Sequence, residues 1–314
     1  MVKSVVNDAQ FTLFQNQRSL DIGYSLSSGD RFRINAYYER GHAALAIRRL
    51  DTTFHTLKEL GLPASLEDLT HAHHGLVLVT GPTGSGKSTT LAAMLHLINL
   101  SRDCHILTIE DPIETIHRKH VSMVHQREIH TDVPDFASAV RAAMREDPDV
   151  ILVGEMRDLE TMRAALMAAE TGHLVFSTLH TGDAVGVLER FVGGFPGNEQ
   201  EAVRQQLSMV LRAVVAQHLV PTADGKGRVP VVEILMGTPA VAHLIRNGKS
   251  QQLVSAMESG QAQGMQTLDA ALAERVRSRL IDAEQARLMA RDPKLFDELL
   301  HRPQAAASSG GFKS

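Results

Sequence analysis

The sequence has a single cysteine, Cys104, among its 314 residues. One cysteine excludes an intrachain disulfide and a zinc module built on four cysteines, and it is typical of proteins from a reducing compartment. The chain also lacks a run of roughly 18 apolar residues, so we expect no membrane-spanning helix. Its first residues lack the apolar stretch of a secretory signal peptide, and no leader is expected. These absences favour a cytoplasmic protein.

An excess of basic side chains is absent as well. The 32 lysines and arginines are outnumbered by 36 aspartates and glutamates, and the net charge is −4. We therefore expect no direct nucleic-acid partner, because such proteins usually carry a basic surface. His71, His73 and His74 have no carboxylate or cysteine at ligand spacing, and we interpret them as a solvated turn. Hydrophobic residues make up 43% of the chain, which is enough for a sizeable core.

The pattern of apolar residues divides the chain into two parts. Residues 1–20 indicate a short helix that leads into β structure. Alternation with a period of two, in residues 31–38 and 42–50, predicts two paired strands joined by a turn at 39–41. We predict a partial α+β domain and linker over residues 1–60 and an α/β domain over residues 61–302. Residues 303–314 are rich in Ala, Ser and Gly and are predicted to be disordered.

Within the α/β domain, apolar segments alternate with helical ones. Strands are predicted at residues 76–80, 105–110, 150–155 and 173–180, and helices at 88–100, 136–146 and 159–170. Strands that are apolar on both faces predict a parallel sheet covered by helices on both sides. Long helices are predicted at about 199–219, a β segment at 228–235, and a mostly helical remainder over 239–300.

Residues 76–90 carry the most specific motif in the chain. They indicate a buried strand, a glycine-rich turn that matches G-x-x-x-x-G-K-[ST], and the start of a helix. Glycines let the backbone N–H groups point at phosphate oxygens, and the helix start adds unpaired N–H groups. The predicted phosphate-binding residues are Gly81, Pro82, Thr83, Gly84, Ser85, Gly86, Lys87, Ser88 and Thr89. Lys87 supplies a charge for the β- and γ-phosphates, and the Ser88 hydroxyl is placed to ligate Mg²⁺.

Acidic residues follow two further predicted strands. Glu155 ends the strand at 150–155, and Glu110, Asp111 and Glu114 end its neighbour. Because the carboxyl ends of parallel strands line one crevice, we expect these carboxylates beside the phosphate loop, where Glu155 can hold Mg²⁺ or polarise the attacking water. His173 and His180 bracket the strand at 173–180, which ends at the same edge, and two histidines at the two ends of a nucleotide-facing strand favour a sensing role.

Together these segments resemble the sequence boxes of a known family. The phosphate loop and residues 108–114, 154–158 and 171–181 are similar to the Walker A, Asp box, Walker B and His box of the secretion-superfamily ATPases. The similarity is greatest to the PilT-type retraction ATPases of type IV pili and extends over roughly residues 20–300. The resemblance implies a RecA-like P-loop NTPase domain with C-terminal helices, preceded by a truncated, PAS-like α+β domain.

The resemblance also implies residue roles, with ATP and Mg²⁺ as cofactors. Glu114 would be the general base, with Glu155 the alternative, and Glu155 would act on the metal. His173 and His180 would couple the γ-phosphate to the subunit interface. The remaining implied residues are arginines at subunit interfaces: Arg40 and Arg48, which would reach a neighbour's nucleotide, and Arg141 and Arg145, which would form a second pair at i, i+4 spacing on one helix face.

The function that follows from the resemblance is an ATP-hydrolysing homohexameric motor for pilus retraction. Its implied partners are copies of itself, the inner-membrane platform protein of the pilus and a second retraction ATPase, with the ring held peripherally at the inner membrane. Two alternatives stay open: an ATPase of a related secretion or DNA-transfer system, and a weakly hydrolysing accessory ring. Residues 240–247 depart from the A-I-R-N-L-I-R-E motif of retraction ATPases by lacking its first arginine and its final glutamate.

Overall fold

The structure is a computed structural model that describes residues 2–51 and 53–302. The predicted disordered tail at 303–314 lies outside the described residues. The chain begins with a short 3-10 helix (Val2–Ser4) and helix α1 (Asp8–Gln17). A three-stranded antiparallel sheet follows in the order β1-β2-β3, with bounds Ser19–Ser25, Arg31–Glu39 and His42–Leu50. The predicted pairing of residues 31–38 with 42–50 is confirmed, and the turn lies at residues 40–41.

Helix α1 covers one face of this small sheet. Phe14 is fully buried beneath it and stacks on Tyr38 of β2 with a ring-centroid distance of 4.7 Å. Ile22 and Ile34, which are paired across β1 and β2, complete this core. The Asn7 side chain caps the helix by accepting a hydrogen bond from the backbone N–H of Gln10, and the Gln10 side chain accepts one from the backbone N–H of Asn7.

A second sheet of seven strands forms the centre of the remaining chain, in the order β10-β9-β4-β8-β7-β5-β6. All of its neighbouring strands are parallel except the β9–β10 pair, which is antiparallel. The strands are β4 (Gly75–Thr80), β5 (His105–Glu110), β6 (Met123–Glu128), β7 (Val150–Val153), β8 (Leu174–Leu179), β9 (Leu211–Pro221) and β10 (Arg228–Met236).

Helices lie on both faces of this sheet. They are α2 (Ser65–Thr70), α3 (Lys87–Ser101), α4 (Phe136–Ala143), α5 (Leu159–Glu170), α6 (Ala184–Gly193), α7 (Gln200–Val210), α8 (Pro239–Arg246), α9 (Leu253–Ser259), α10 (Leu268–Arg277), α11 (Ala283–Met289) and α12 (Pro293–His301). Short 3-10 helices occur at Ser250–Gln252 and Gln261–Gln263.

The central strand β4 shows why both faces need cover. Its six residues are all buried, and they alternate between two cores. Val77 and Val79 belong to the core under α2 and α3, whereas Leu76 and Leu78 belong to the core under α4 to α7. The predicted α/β fold class with a mostly parallel, doubly covered sheet is confirmed. The division into domains at residue 60 stays a prediction.

The prediction for residues 199–219 is wrong in its second half. Helix α7 ends at Val210, and residues 211–221 form strand β9 between β4 and β10. The valine-rich run suits a strand that is buried on both faces, but a buried helix has a similar apolar pattern. Pairing with β4 and β10 is what makes these residues a strand. The sequence reading also missed strand β6 and helix α6, and it extended α4 past its end at Ala143.

The C-terminal residues are helical, as predicted. Helices α10 to α12 form a small core of their own against β9 and β10, centred on Leu272, Ile281 and Phe296. Among residues 2–51 and 53–302, no helix has both the length and the apolar character needed to cross a bilayer.

Candidate functional site

The phosphate loop comprises the six residues between β4 and α3. Gly81 has a φ of 140°, and a Cβ at this position would clash with the carbonyl oxygen of Gln217. Gly86 adopts the left-handed conformation, with φ at 89°, immediately before the helix begins at Lys87. Both positions therefore require glycine. The backbone N–H groups of the loop lie next to those of the helix start, an arrangement that is suited to binding an anion.

Lys87 is buried inside the curve of this loop. Its Nζ donates hydrogen bonds to the carbonyl oxygens of Gly81, at 2.9 Å, and Pro82, at 3.0 Å. Burial lowers the pKa of the Lys87 ammonium, while the Glu155 carboxylate opposes that shift. Within the described residues, no carboxylate lies close enough to Lys87 to form an ion pair. A buried cation held by carbonyls alone is suited to an incoming anion such as phosphate.

Gln217 on β9 supports the loop from behind, a role that the sequence reading missed. Its Oε1 accepts a hydrogen bond from Thr90 at 2.7 Å, and its Nε2 donates to the carbonyl of Ser85 at 2.8 Å. The available signal was a single amide in the apolar run of residues 213–220. The Ser85 hydroxyl is buried and lacks a hydrogen-bond partner among the described groups.

A crevice of about 410 Å³ opens beside the loop, where β4, β5, β7 and β8 end. This is the edge at which ligands bind in open α/β sheets. The structure brings twelve of the candidate residues into its lining: Arg48, Thr83, Gly84, Gly86, Lys87, Ser88, Thr89, Glu110, Asp111, Glu114, Glu155 and His180. Gly81, Pro82 and Ser85 belong to the loop but do not line the crevice.

Glu155 follows β7 and faces the phosphate loop. Its side chain is 14% exposed, and its Oε2 accepts from Arg157 Nε at 2.7 Å and lies 3.3 Å from His180 Nε2. Glu155 therefore links the end of β7 to the end of β8. A shielded carboxylate near Lys87 is placed to act on a cation bound with phosphate.

The three carboxylates after β5 differ in their surroundings. Glu110 is held by the hydroxyl of Thr108, at 2.7 Å, and by the amide of Gln126, and burial raises its pKa. Burial also raises the pKa of Asp111. The Glu114 side chain is 32% exposed and contacts Arg33 Nη1 at 3.4 Å. Among the described ion pairs, Glu114 is thus the one of these three that contacts an arginine side chain directly.

Arg33 and Arg48 are paired across β2 and β3, and both line the crevice of their own chain. The small sheet thus carries Arg48 to the crevice of the same chain, and its expected role at a neighbour's nucleotide stays a prediction. Arg33 was missed, although the alternation of arginines in residues 31–33 was a usable signal. Arg40 lies exposed in the β2–β3 turn, at the opposite end of the hairpin, and does not line the crevice.

The second arginine pair is also placed differently from the prediction. Arg141 lies on α4, is exposed, and is 3.6 Å from Glu160 on α5. Arg145 lies beyond the end of α4 at Ala143, so the two do not share a helix face. Neither lines the crevice, and their assignment to a subunit interface stays a prediction.

The two histidines lie at the two ends of β8, as predicted, and His173 is at the end away from the phosphate loop. His173 immediately precedes β8, where its carbonyl accepts from Gly75 at the start of β4, and its Nδ1 lies 2.9 Å from the carbonyl of Ala168. A six-residue strand separates its two ends by roughly 20 Å. Since β8 runs parallel to β4, only His180 reaches the phosphate-loop edge.

His117 lines the crevice and contacts an aromatic cluster. Its ring lies 5.1 Å from that of Phe54, which stacks on His96 at 4.4 Å. Burial, and secondarily the neighbouring His96, lowers the pKa of His117 to about 4. The unfolded chain, with a histidine pKa near 6.5, takes up this proton first as the pH falls.

We expect this histidine to destabilise the fold in acid. As pH falls from about 6.5 to about 4, the free energy of unfolding should decrease by on the order of 2 kcal/mol through His117. Replacing His117 with Asn keeps the backbone N–H that bonds Gln126. Urea unfolding of both proteins between about pH 7 and about pH 4.5 isolates the histidine, because all other groups are shared. Parallel stability curves for the two proteins would refute the assignment.

Comparison with known proteins shows which family and which solved structure this chain resembles. The family model for type II/IV secretion system proteins matches residues 27–287. A twitching motility protein of Neisseria gonorrhoeae is 50% identical over 93% of this chain and 78% of its own length. The type IV pilus retraction ATPase PilT of Pseudomonas aeruginosa is 47% identical over 94% of this chain and 86% of its own length. A crystal structure of the pilus retraction motor PilT with bound ADP superposes with a TM-score of 0.87, at 45% identity, over 95% of this chain and 84% of that one.

Proposed function

The chain belongs to the type II/IV secretion system protein family, and we propose that it is an ATP-hydrolysing motor for type IV pilus retraction. The observation that carries this proposal is one crevice that joins Lys87, in a phosphate loop, to Glu114 and Glu155 on neighbouring strand ends. Relatives named for twitching motility and pilus retraction, at about half identity over most of the chain, support the same conclusion.

The contacts of each residue indicate its role in hydrolysis. Lys87 and the loop N–H groups bind the β- and γ-phosphates, and Lys87 stabilises the charge that develops as the bond to the γ-phosphate breaks. Glu114 accepts a proton from the attacking water, for which its partial exposure is suited. His180, in contact with Glu155, is the group that reports the state of the γ-phosphate to the rest of the chain.

The donors at this edge fit a magnesium ion. The exposed Ser88 hydroxyl and the Glu155 carboxylate are hard oxygen ligands, which Mg²⁺ prefers. The described residues hold no cluster of three His, Cys, Asp or Glu ligands that could bind a metal alone, so phosphate oxygens would complete the coordination. Mg²⁺ bound there would neutralise charge on the phosphates.

An adjoining cavity of about 580 Å³ suits the nucleoside part of ATP. It shares Thr89, Ala92, Thr115, Leu219 and Arg228 with the crevice and is also lined by Phe54 and Leu60. A flat aromatic wall with aliphatic neighbours is the ordinary setting for a nucleobase. We place the base there and the phosphates at the loop.

The assembly belongs to the same proposal. We infer a homohexameric ring that works with the inner-membrane platform protein of the pilus and a second retraction ATPase, with exposed Arg141 and Arg145 at the subunit interface. The departure of residues 240–247 from the retraction motif keeps a related secretion ATPase as the alternative. Restoring twitching to a bacterium that lacks its retraction ATPase separates the two.

We expect ATP turnover per subunit to rise with protein concentration as rings form. Phosphate release is measured over a concentration series, with Mg²⁺ and with EDTA, alongside the mass of the assembly. Replacing Arg141 and Arg145 together with Ala should weaken this dependence, whereas replacing the exposed Arg302 should not. Turnover that is constant per subunit, in a protein shown to remain monomeric, would reject the ring. Activity that persists in EDTA would reject the magnesium assignment.

A further inference from the structure

A buried ion pair joins the three-stranded sheet to the segment that carries Glu114. Arg31 of β2 and Glu128 of β6 are 3.2 Å apart, and each side chain is 9% exposed. We propose that this pair positions Glu114 by holding the preceding peptide, so that the small sheet sets the placement of the general base. The inference rests on the proposed function and names residues that act through Glu114 rather than on the nucleotide.

Both polar groups of Ile113 are held by the pair. Glu128 Oε2 accepts from the backbone N–H of Ile113 at 3.1 Å, and Arg31 Nε donates to the Ile113 carbonyl at 2.7 Å. The next residue along the chain is Glu114. Because the peptide that links Ile113 to Glu114 is planar, fixing its carbonyl also fixes the direction in which Glu114 leaves.

The small sheet is built around this contact. Gly23 on β1 donates its N–H to Glu128 Oε1 at 3.4 Å, and a Cβ at Gly23 would lie 2.8 Å from Glu128 Oε2 and clash with Arg31. Arg31 Nη1 also donates to the Ser25 hydroxyl at 2.9 Å. Gly23 thus makes room for the pair, and β1 supplies a further polar partner to each of its two side chains.

Strand β2 holds Glu114 at a second point. Arg33 lies two residues after Arg31, on the same face of the strand, and its guanidinium contacts both Asp21, at 2.6 Å, and Glu114, at 3.4 Å. One strand therefore fixes the backbone before Glu114 and also touches its carboxylate. A shift of the small sheet against the large one would move the base away from the crevice.

Burial of two charges costs free energy, which the pair must recover through complete hydrogen bonding. An apolar pair of the same size would serve stability as well, so stability does not account for it. What an apolar pair could not do is bond the N–H and the carbonyl of Ile113. Displacement of a reacting group by about 1 Å can reduce turnover about 100-fold. Hydrogen bonds that fix the position of Glu114 can therefore have a large effect on the rate.

The test replaces Glu128 with Gln in the full chain. We expect kcat to fall about 10- to 100-fold while the dissociation constant for fluorescent ADP stays within about threefold of wild type. Amide exchange near Ile113 should become faster. The matched control is Arg49→Met, which removes an ion pair between exposed Arg49 on β3 and Asp30 in the β1–β2 loop and should change none of these values.

A double variant separates positioning from general damage to the fold. In a Glu114→Gln background, adding Glu128→Gln should cost less than about twofold in residual turnover, because the base that it positions is already absent. An equal further loss would overturn the proposal, and so would unchanged kcat or a parallel loss of ADP affinity. If Glu128→Gln does not fold, Arg31→Lys is tested in the same way, because lysine keeps the positive charge but lacks the several N–H donors of the guanidinium.

If the wild type hydrolyses no ATP, the proposed function fails. The amide-exchange measurement still decides whether the ion pair holds the Ile113 peptide.

Discussion

Replacing Lys87 with alanine is expected to reduce ATP turnover at least about 100-fold and to abolish tight nucleotide binding. The ammonium is the cation inside the phosphate loop, held in place by the carbonyls of Gly81 and Pro82. Alanine leaves the loop N–H groups in place but removes the charge that faces the β- and γ-phosphates. Each tenfold loss in rate corresponds to about 1.36 kcal/mol of transition-state stabilisation, and a buried charge supplies more than that.

The measurement is steady-state phosphate release together with ADP binding by calorimetry. Lys249→Ala is the matched control, because Lys249 is exposed and lies outside the crevice. The control should behave as wild type. A folded Lys87→Ala protein that retains more than about a tenth of the wild-type turnover would contradict the assignment of this loop as the phosphate site.

Replacing Glu114 with glutamine is expected to preserve nucleotide affinity and to reduce turnover by about 10²- to 10⁴-fold. An amide has nearly the same shape as the carboxylate but does not take a proton from the attacking water. Glu114 is partly exposed and contacts Arg33, whereas the Glu110 carboxylate accepts hydrogen bonds from Thr108 and Gln126. The dissociation constants for ATP and ADP are measured beside the rate.

Glu155→Gln is the informative comparison for Glu114→Gln. It removes the carboxylate next to Lys87 and breaks the contacts with Arg157 and His180, so it should weaken Mg²⁺-dependent binding as well as turnover. If Glu114→Gln hydrolyses ATP at the normal rate while Glu155→Gln is inactive with normal metal dependence, the base is Glu155.

The parts of the site that were predictable from sequence are local. The phosphate loop is a continuous motif in which each residue type follows from the shape of one turn, so Gly81, Gly86 and Lys87 lie where the motif put them. The carboxylates after β5 and β7 were also placed correctly, because the carboxyl ends of parallel strands share an edge. Period-two alternation was enough to pair β2 with β3.

The parts that were missed depend on contacts between distant segments. Residues 211–221 form a strand because β4 and β10 flank them, and that same strand places Gln217 behind the loop. Arg33 and Arg48 reach the crevice because of how the small sheet packs on the large one, which no local pattern encodes. His173 and His180 flank one strand, and only the parallel pairing of β8 with β4 shows that His180 is the one at the phosphate-loop edge.

A structure of the Glu114→Gln variant with ATP and Mg²⁺ tests the central claim most directly. The account predicts the γ-phosphate beside the Lys87 ammonium, Mg²⁺ on the Ser88 hydroxyl, and the water nearest the γ-phosphate hydrogen-bonded to residue 114. Phosphates bound away from the loop, or a water held by Glu155 with residue 114 turned away, would contradict it.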